Sequence, residues 1–167
     1  GSYGYKYGQH GFDQLAHLIQ WIKDDPSDRG LMFSLWNPPD LAKGRLRPCA
    51  HEFQVTISDD GIMDGTLKQR SADWPVGVPM NITFYTIFLR LLALETDYKV
   101  GELIHQVTDA HIYENQIDAV KEYLNRPKPD SPLLFIDQQP DIYSYNIDDF
   151  HLIDYNPLKP IKFEVAV

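Results

Sequence analysis

Hydrophobic periodicity along the chain predicts the helices. From about residue 12 to residue 25, apolar residues recur at helical spacing with Asp13 near the start, which predicts an amphipathic helix. Residues 81–96 are apolar on nearly every face and contain neither Gly nor Pro, so we expect a long central helix that is buried all round. A shorter pattern over residues 117–124 predicts a surface helix.

Short apolar or alternating runs predict the strands, over residues 31–36, 51–58, 62–71, 103–113 and 133–136. Residues 59–61 are typical of a hairpin turn, so Cys49 and Arg70 would lie at the ends of paired strands far from that turn. Residues 163–167 are expected to form a closing strand or a tail. Helices interleaved with hairpin strands favour an α+β fold, with a mixed β-sheet, a long buried central helix and flanking helices in one domain over residues 1–167.

The charge balance narrows the possible partners. The chain has 24 acidic and 15 basic side chains and a net charge of -9, which argues against nucleic acid and an anionic membrane surface, since both attract a basic face. The apolar stretch over residues 74–89 contains Pro75, Gly77 and Pro79, so it is expected to fall short of a membrane span. Any anion that the protein binds must therefore meet a local cluster of arginines.

Cys49 is the single cysteine, which excludes an internal disulfide and a zinc site built from cysteines. A lone thiol suits a reducing compartment, so we expect a cytoplasmic protein. The six histidines lack the spacing of metal ligands and no HExxH motif is present, so no metal is expected. Cys49 follows Pro48 and lies near Arg45 and Arg47, and positive charge favours the nucleophilic thiolate. The alternative is a small apolar residue that packs the end of a strand.

Other polar positions are candidates for ligand binding. Arg70 and Ser71 together suit phosphate oxygens, although Arg-Ser pairs are common. Asn81 follows a Pro- and Gly-rich loop and is either a helix N-cap or an amide that reads the edge of a planar ring. Asp109, His111 and Tyr113 would share one strand face, which lines either solvent or a polar pocket.

Six short segments of the chain together resemble a known family. They occur in the order and spacing of the thymidylate synthases and the related pyrimidine hydroxymethylases, and they are residues 25–29, 35–38, 48–49, 69–73, 77–81 and 109–113. Residues 165–167 resemble the closing tail of that family. In such enzymes a thiolate adds to C6 of the pyrimidine of a deoxynucleoside monophosphate, and methylenetetrahydrofolate then supplies one carbon at C5.

The resemblance implies a role for each matching residue. Cys49 resembles the nucleophile, and Arg70 resembles a phosphate ligand beside the thiolate. The further matches are Ser71 as a second phosphate ligand, Asn81 as the base-reading amide, His111 and Tyr113 as ligands of the sugar hydroxyl, Asp73 and the terminal Val167 on the folate side, Tyr7 in the catalytic water network, and Arg29 as a phosphate ligand lent by the other subunit of a homodimer. Deoxycytidylate hydroxymethylases carry Asp where Asn81 stands, so uracil is expected rather than cytosine.

The chain also departs from the family pattern. Arg29 is followed by Gly30, where the family usually has adjacent arginines, and Cys49 is followed by Ala50 rather than His. We assign no catalytic role to His51. The family's N-terminal segment has no counterpart here, so we interpret the chain as a fragment or a rearranged product.

The main functional prediction is thymidylate synthesis from deoxyuridylate, with activity of the chain by itself left open. A deoxyuridylate hydroxymethylase, and a noncatalytic nucleotide-binding or interaction domain, are the alternatives.

Overall fold

The computed structural model describes residues 12–44 and 46–164. Predictions about Tyr7, Arg45 and Val167 therefore lie outside the described residues. The described helices are α1 (Gln14–Asp24), α2 (Gly77–Thr96) and α3 (Ile117–Leu124). The described strands are β1 (Met32–Ser34), β2 (Ala50–Ile57), β3 (Ile62–Asp73), β4 (Lys99–His111), β5 (Leu133–Ile136) and β6 (Phe150–Ile153). Short 3₁₀ turns occupy Pro38–Asp40, Glu114–Gln116 and Ile147–Asp149.

The main sheet is mixed, as the sequence predicts. Its strand order is β1-β2-β3-β4, with antiparallel pairing from β1 to β3 and parallel pairing of β3 with β4. The hairpin of β2 and β3 turns at Gly61, whose φ of 76° lies in the left-handed region that glycine adopts at little cost. A separate antiparallel pair is formed by β5 and β6.

The central helix α2 connects the parallel strands β3 and β4. Parallel neighbours cannot be joined by a tight turn, so a crossover helix is the usual solution. One face of α2 packs on the sheet, where the rings of Phe53 and Tyr85 stack at 5.5 Å and those of Phe33 and Phe88 meet edge to face at 5.6 Å. Helix α1 completes this core with Leu18 and other buried side chains.

The helix α2 differs from the prediction in burial. Met80 is 72% exposed, and Ile82, Phe84 and Leu94 are exposed as well, so the expectation that α2 is buried all round is wrong. By length and composition alone α2 could cross a membrane, which the sequence argument about residues 74–89 did not anticipate. The core helix of a globular domain passes the same test, and the buried face of α2 belongs to the core.

Element boundaries show where local chemistry controls the fold. Asp13 caps α1, since its Oδ1 accepts from the backbone N–H groups of Leu15 (3.0 Å) and Ala16 (3.1 Å). Strand β1 is shorter than predicted. Residues 163–164 have no strand structure, so within the described residues the C-terminal part is a tail.

Candidate functional site

Candidate residues meet at one end of the main sheet. Because β2 runs antiparallel to β3, the start of β2 lies beside the end of β3, with Ala50 paired to Gln69. Because β4 runs parallel to β3, their ends also coincide, with Ser71 paired to Asp109 and Asp73 paired to His111. The topology therefore brings the segment around Cys49, the end of β3 and the end of β4 together at one end of the sheet.

Arg70 is fixed against the segment that carries the thiol. Its backbone N–H donates to the carbonyl of Cys49 at 2.9 Å, as the hairpin prediction requires. Its side chain donates from Nε to the carbonyl of Pro48 at 3.0 Å and from Nη2 to the carbonyl of Arg47 at 2.9 Å. A guanidinium has further N–H donors in the same plane, so the group can also bind an anion beside the half-buried Cys49.

Asn81 lies inside α2 rather than at its start. The helix begins at Gly77, and its N-cap Val76 makes no side-chain capping bond. The prediction that residues 74–81 form a loop, with Asn81 as a possible N-cap, is therefore wrong. Pro79 allows this early start because the first-turn N–H that it lacks has no partner within a helix. Asn81 Oδ1 instead accepts a hydrogen bond from Gln69 Nε2 at 3.1 Å.

Gln69 joins Asn81 to a chain of hydrogen bonds. Only 2% of Gln69 is exposed, and its Nε2 also donates to the carbonyl of Ser71 at 2.8 Å. Its Oε1 lies 2.9 Å from Nε2 of His105, whose pKa is lowered by burial. Because the Ser71 carbonyl can only accept, the Gln69 amide must present its nitrogen to Ser71 and Asn81 and its oxygen to His105.

This polarity fixes the orientation of the Asn81 amide. The atom of Asn81 that faces the Gln69 nitrogen must be an acceptor, which is Oδ1. Asn81 Nδ2 and the second lone pair of Oδ1 then present a donor and an acceptor side by side. An arrangement of this kind matches a ring edge that offers a carbonyl next to an N–H.

His111 and Tyr113 lie together, although not on one strand face as predicted. Strand β4 ends at His111, and Tyr113 precedes the 3₁₀ turn Glu114–Gln116. The two rings meet edge to face with centroids 4.9 Å apart, and His111 Nδ1 lies 3.2 Å from Asp109 Oδ1. The contact therefore holds two rings side by side, each of which carries a polar group.

Asp73 carries a buried oxygen without a partner. Its Oδ2 accepts from Gln116 Nε2 at 3.2 Å, whereas Oδ1 is buried and has no hydrogen-bond partner among the described residues. A buried unpaired carboxylate oxygen is costly, so it points to a ligand N–H at this position.

Arg29 is not brought into this cluster. It is exposed, and its carbonyl accepts from Gln54 Nε2 at 3.1 Å. Gln54 lies four residues from Ala50 along β2, which is roughly 13 Å at the rise of a strand. Arg29 therefore does not lie beside Cys49 of the same chain.

Sequence reasoning missed the supporting residues Gln69, His105 and Gln116. Gln69 and His105 lie at strand positions whose side chains face the helices. A polar residue at a position where the strand alternation predicts a buried apolar one was therefore the signal that could have identified them. Gln116 is fully buried in a 3₁₀ turn, and no periodicity of the sequence marks it.

Comparisons with known proteins show which family the chain is similar to. A family model described as thymidylate synthase matches residues 2–167. A thymidylate synthase of Staphylococcus haemolyticus (strain JCSC1435) is 42% identical over 162 residues, which cover 97% of this chain and 50% of the relative. A bifunctional dihydrofolate reductase-thymidylate synthase of Zea mays is 39% identical over 162 residues, covering 96% of this chain and 31% of that protein.

A solved structure gives the same result in three dimensions. The thermostable thymidylate synthase A from Bacillus subtilis matches with a TM-score of 0.88 at 35% identity, covering 95% of this chain and 58% of that one. The chain spans about half the length of the curated Staphylococcus haemolyticus relative.

Proposed function

Because the chain belongs to the thymidylate synthase family, we propose that it provides the catalytic core of an enzyme that transfers a one-carbon unit from methylenetetrahydrofolate to C5 of deoxyuridylate. The observation that carries the proposal is the meeting of a thiol, a fixed arginine, an oriented amide and a His-Tyr pair at one end of the sheet. Arginine, amide and the His-Tyr pair can each bind one part of a nucleotide, and the thiol can react with its base.

The nucleotide is bound by groups that match its parts. Arg70 and Ser71 hold the phosphate, since a guanidinium and a hydroxyl both donate to phosphate oxygens. Asn81 reads the uracil edge, with Nδ2 donating to the carbonyl O4 and Oδ1 accepting from the ring N3–H. His111 and Tyr113 bind the sugar hydroxyl. Their ring contact of 4.9 Å supports a shared ligand.

Cys49 performs the covalent step. Its sulfur forms a bond to C6 of the pyrimidine, and the electron pair of the C5–C6 double bond makes C5 nucleophilic. After the methylene carbon has bonded to C5, the C5 proton is lost and the bond from that carbon to the folate nitrogen breaks, which leaves an exocyclic methylene on the pyrimidine. Hydride from the tetrahydrofolate then reduces this methylene to a methyl group as the sulfur–C6 bond breaks, which restores the C5–C6 double bond and frees the thiolate. We include Tyr7 in the water network that moves the C5 proton.

The folate side is formed by Asp73 and Val167. The unpaired buried Oδ1 of Asp73 fits a co-substrate that carries N–H donors on its ring system. Methylenetetrahydrofolate supplies the one-carbon unit when bound.

We extend the proposal to a homodimer in which Arg29 contributes to the partner's phosphate site. On β3 the side chains of Met63 and Leu67 face the core, so those of Thr66 and Lys68 face the opposite side of the sheet. Ile104, paired with Thr66, is exposed on that side. A second copy packed there by two-fold symmetry would bury this surface, and Gln54 holds Arg29 next to it.

The expected setting is the cytoplasm, with neither nucleic acid nor a membrane as partner. The single thiol and the net charge of -9 support this part of the proposal.

A covalent adduct tests the function directly. The protein is incubated with a fluorinated deoxyuridylate and methylenetetrahydrofolate and then weighed intact, because fluorine at C5 prevents loss of the C5 substituent as a proton. A mass increase equal to both ligands is expected, and Cys49→Ser should abolish it while nucleotide affinity stays within about tenfold. Omitting the folate is the matched control. Turnover by Cys49→Ser at the parent rate would show that the nucleophile is another group.

A further inference from the structure

Gln116 is a fully buried side chain that contacts three separate segments. Its exposed fraction is 0%. Its Oε1 accepts from the backbone N–H of Tyr113 at 3.1 Å, and its Nε2 donates to Asp73 Oδ2 at 3.2 Å and to the carbonyl of Glu164 at 3.1 Å. The end of β3, the segment after β4 and the C-terminal segment therefore meet at one amide.

The polarity of these contacts permits only one orientation of the amide. The Tyr113 backbone N–H can only donate, so it must face Oε1 of Gln116. The carboxylate of Asp73 and the carbonyl of Glu164 can only accept, so both must face the NH₂ group. Each of the three bonds thus requires the same orientation, and an acceptor in place of the NH₂ would face two acceptors.

Among the described residues, two hydrogen bonds reach the C-terminal segment, residues 159–164, from other parts of the chain. Arg126 Nη1 donates to the carbonyl of Lys159, and Gln116 donates to that of Glu164. Between these points, Ile161 and Phe163 line a cavity of about 550 Å³. The hydrogen bond from Gln116 to the Glu164 carbonyl is therefore the one that ties this segment to the neighbourhood of Asp73.

We propose that Gln116 is a positioning residue that holds the Asp73 carboxylate and the C-terminal segment in one arrangement on the co-substrate side of the site. The proposal rests on the proposed function for the identity of the ligand at Asp73. The Gln116 bond fixes Asp73 Oδ2 and so directs the unpaired Oδ1 towards the ligand. The same amide holds the Glu164 carbonyl next to the Asp73 carboxylate.

Gln116→Glu tests this with almost no change in shape. The variant keeps an oxygen for the Tyr113 N–H but loses the donor to Asp73 and Glu164. We expect digestion by carboxypeptidase, followed by intact mass, to proceed about tenfold faster through residues 161–164, the described residues that precede the stop at Pro160. Methylenetetrahydrofolate should bind about tenfold more weakly, and deoxyuridylate affinity should stay within about twofold because the Tyr113 contact is retained.

Gln138→Glu is the matched control, since it makes the same charge change at an exposed position. It should leave digestion and both affinities unchanged. If Gln116→Glu does not fold, Asp73→Ala removes one of the same bonds and should also speed digestion of residues 161–164. Unchanged digestion in the folded variant, or equal weakening of both ligands, would overturn the proposal. Failure of the parent protein to bind deoxyuridylate would instead contradict the proposed function, while the digestion result still reports on Gln116.

Discussion

The hydrogen bond between Gln69 and Asn81 predicts how strongly the site prefers uracil. Cytosine offers an acceptor at N3 and an amino donor at C4, the reverse of uracil, so Asn81 would have to flip its amide to bind it. A flip turns Nδ2 towards the Gln69 nitrogen. Gln69 cannot flip in response, because its nitrogen also serves the Ser71 carbonyl and its oxygen serves His105.

The magnitude follows from the donor that such a flip leaves unpaired. The Gln69 amide is 2% exposed, so water cannot easily replace the lost acceptor. A buried donor without a partner costs about 1–3 kcal/mol, which corresponds to roughly fivefold to 150-fold in a dissociation constant. We therefore expect deoxycytidylate to bind more weakly than deoxyuridylate by a factor in this range.

Gln69→Met removes the restraint with little change in side-chain volume. Without the Gln69 nitrogen, the Asn81 amide flips at lower cost, so the ratio of the two dissociation constants should fall towards one. Asn81→Asp should narrow or invert the preference, because a carboxylate accepts from the cytosine amino group and its protonated form can donate to N3.

The assay is calorimetric titration of deoxyuridylate and deoxycytidylate into each protein. Gln138→Met, at an exposed position, controls for the substitution itself. Equal affinity for the two nucleotides in the unmodified protein would refute the claim that Asn81 reads the base. A ratio that Gln69→Met leaves unchanged would refute the claim that Gln69 holds the amide.

The remaining predictions concern the dimer and the pH dependence of stability. In the proposed dimer Arg29 contacts only the phosphate, so Arg29→Ala should weaken binding of deoxyuridylate by about tenfold and leave binding of deoxyuridine unchanged. Equal losses in titrations of both ligands would contradict the shared site. Burial lowers the pKa of His105 below 6.5, so below that pH the unfolded chain binds more protons and the free energy of unfolding falls as pH falls. His105→Gln keeps a donor to Gln69 but does not titrate. Between about pH 7.5 and about pH 5.5, urea unfolding should therefore show a smaller drop in the free energy of unfolding for this variant than for the unmodified protein. An equal drop in both proteins would contradict the role of His105 in the pH dependence.

Local signals were sufficient for most of the fold. The turn residues 59–61 and the apolar runs on either side specify the hairpin, and the hairpin register alone brings Cys49 next to Arg70. The start of α2 could not be read in the same way. Pro79 and Gly77 are typical of a loop, and only the tolerance of a first helical turn for Pro allows the helix to begin there.

The candidate site shows the same difference between the residues proposed to contact the ligand and the residues that hold them in place. Cys49, Arg70 and Asn81 carry groups that can react with or bind a ligand, and their positions match family motifs, so the sequence could nominate them. Gln69 and Gln116 act through pairings between distant segments, with Asn81 twelve residues away from one and Glu164 forty-eight residues away from the other. Alternation along a strand tells which side a residue faces, but the identity of its partner depends on strand order and crossover. The orientation of an amide is therefore a property of the folded network, and the base preference that we predict from it could be derived only once that network was known.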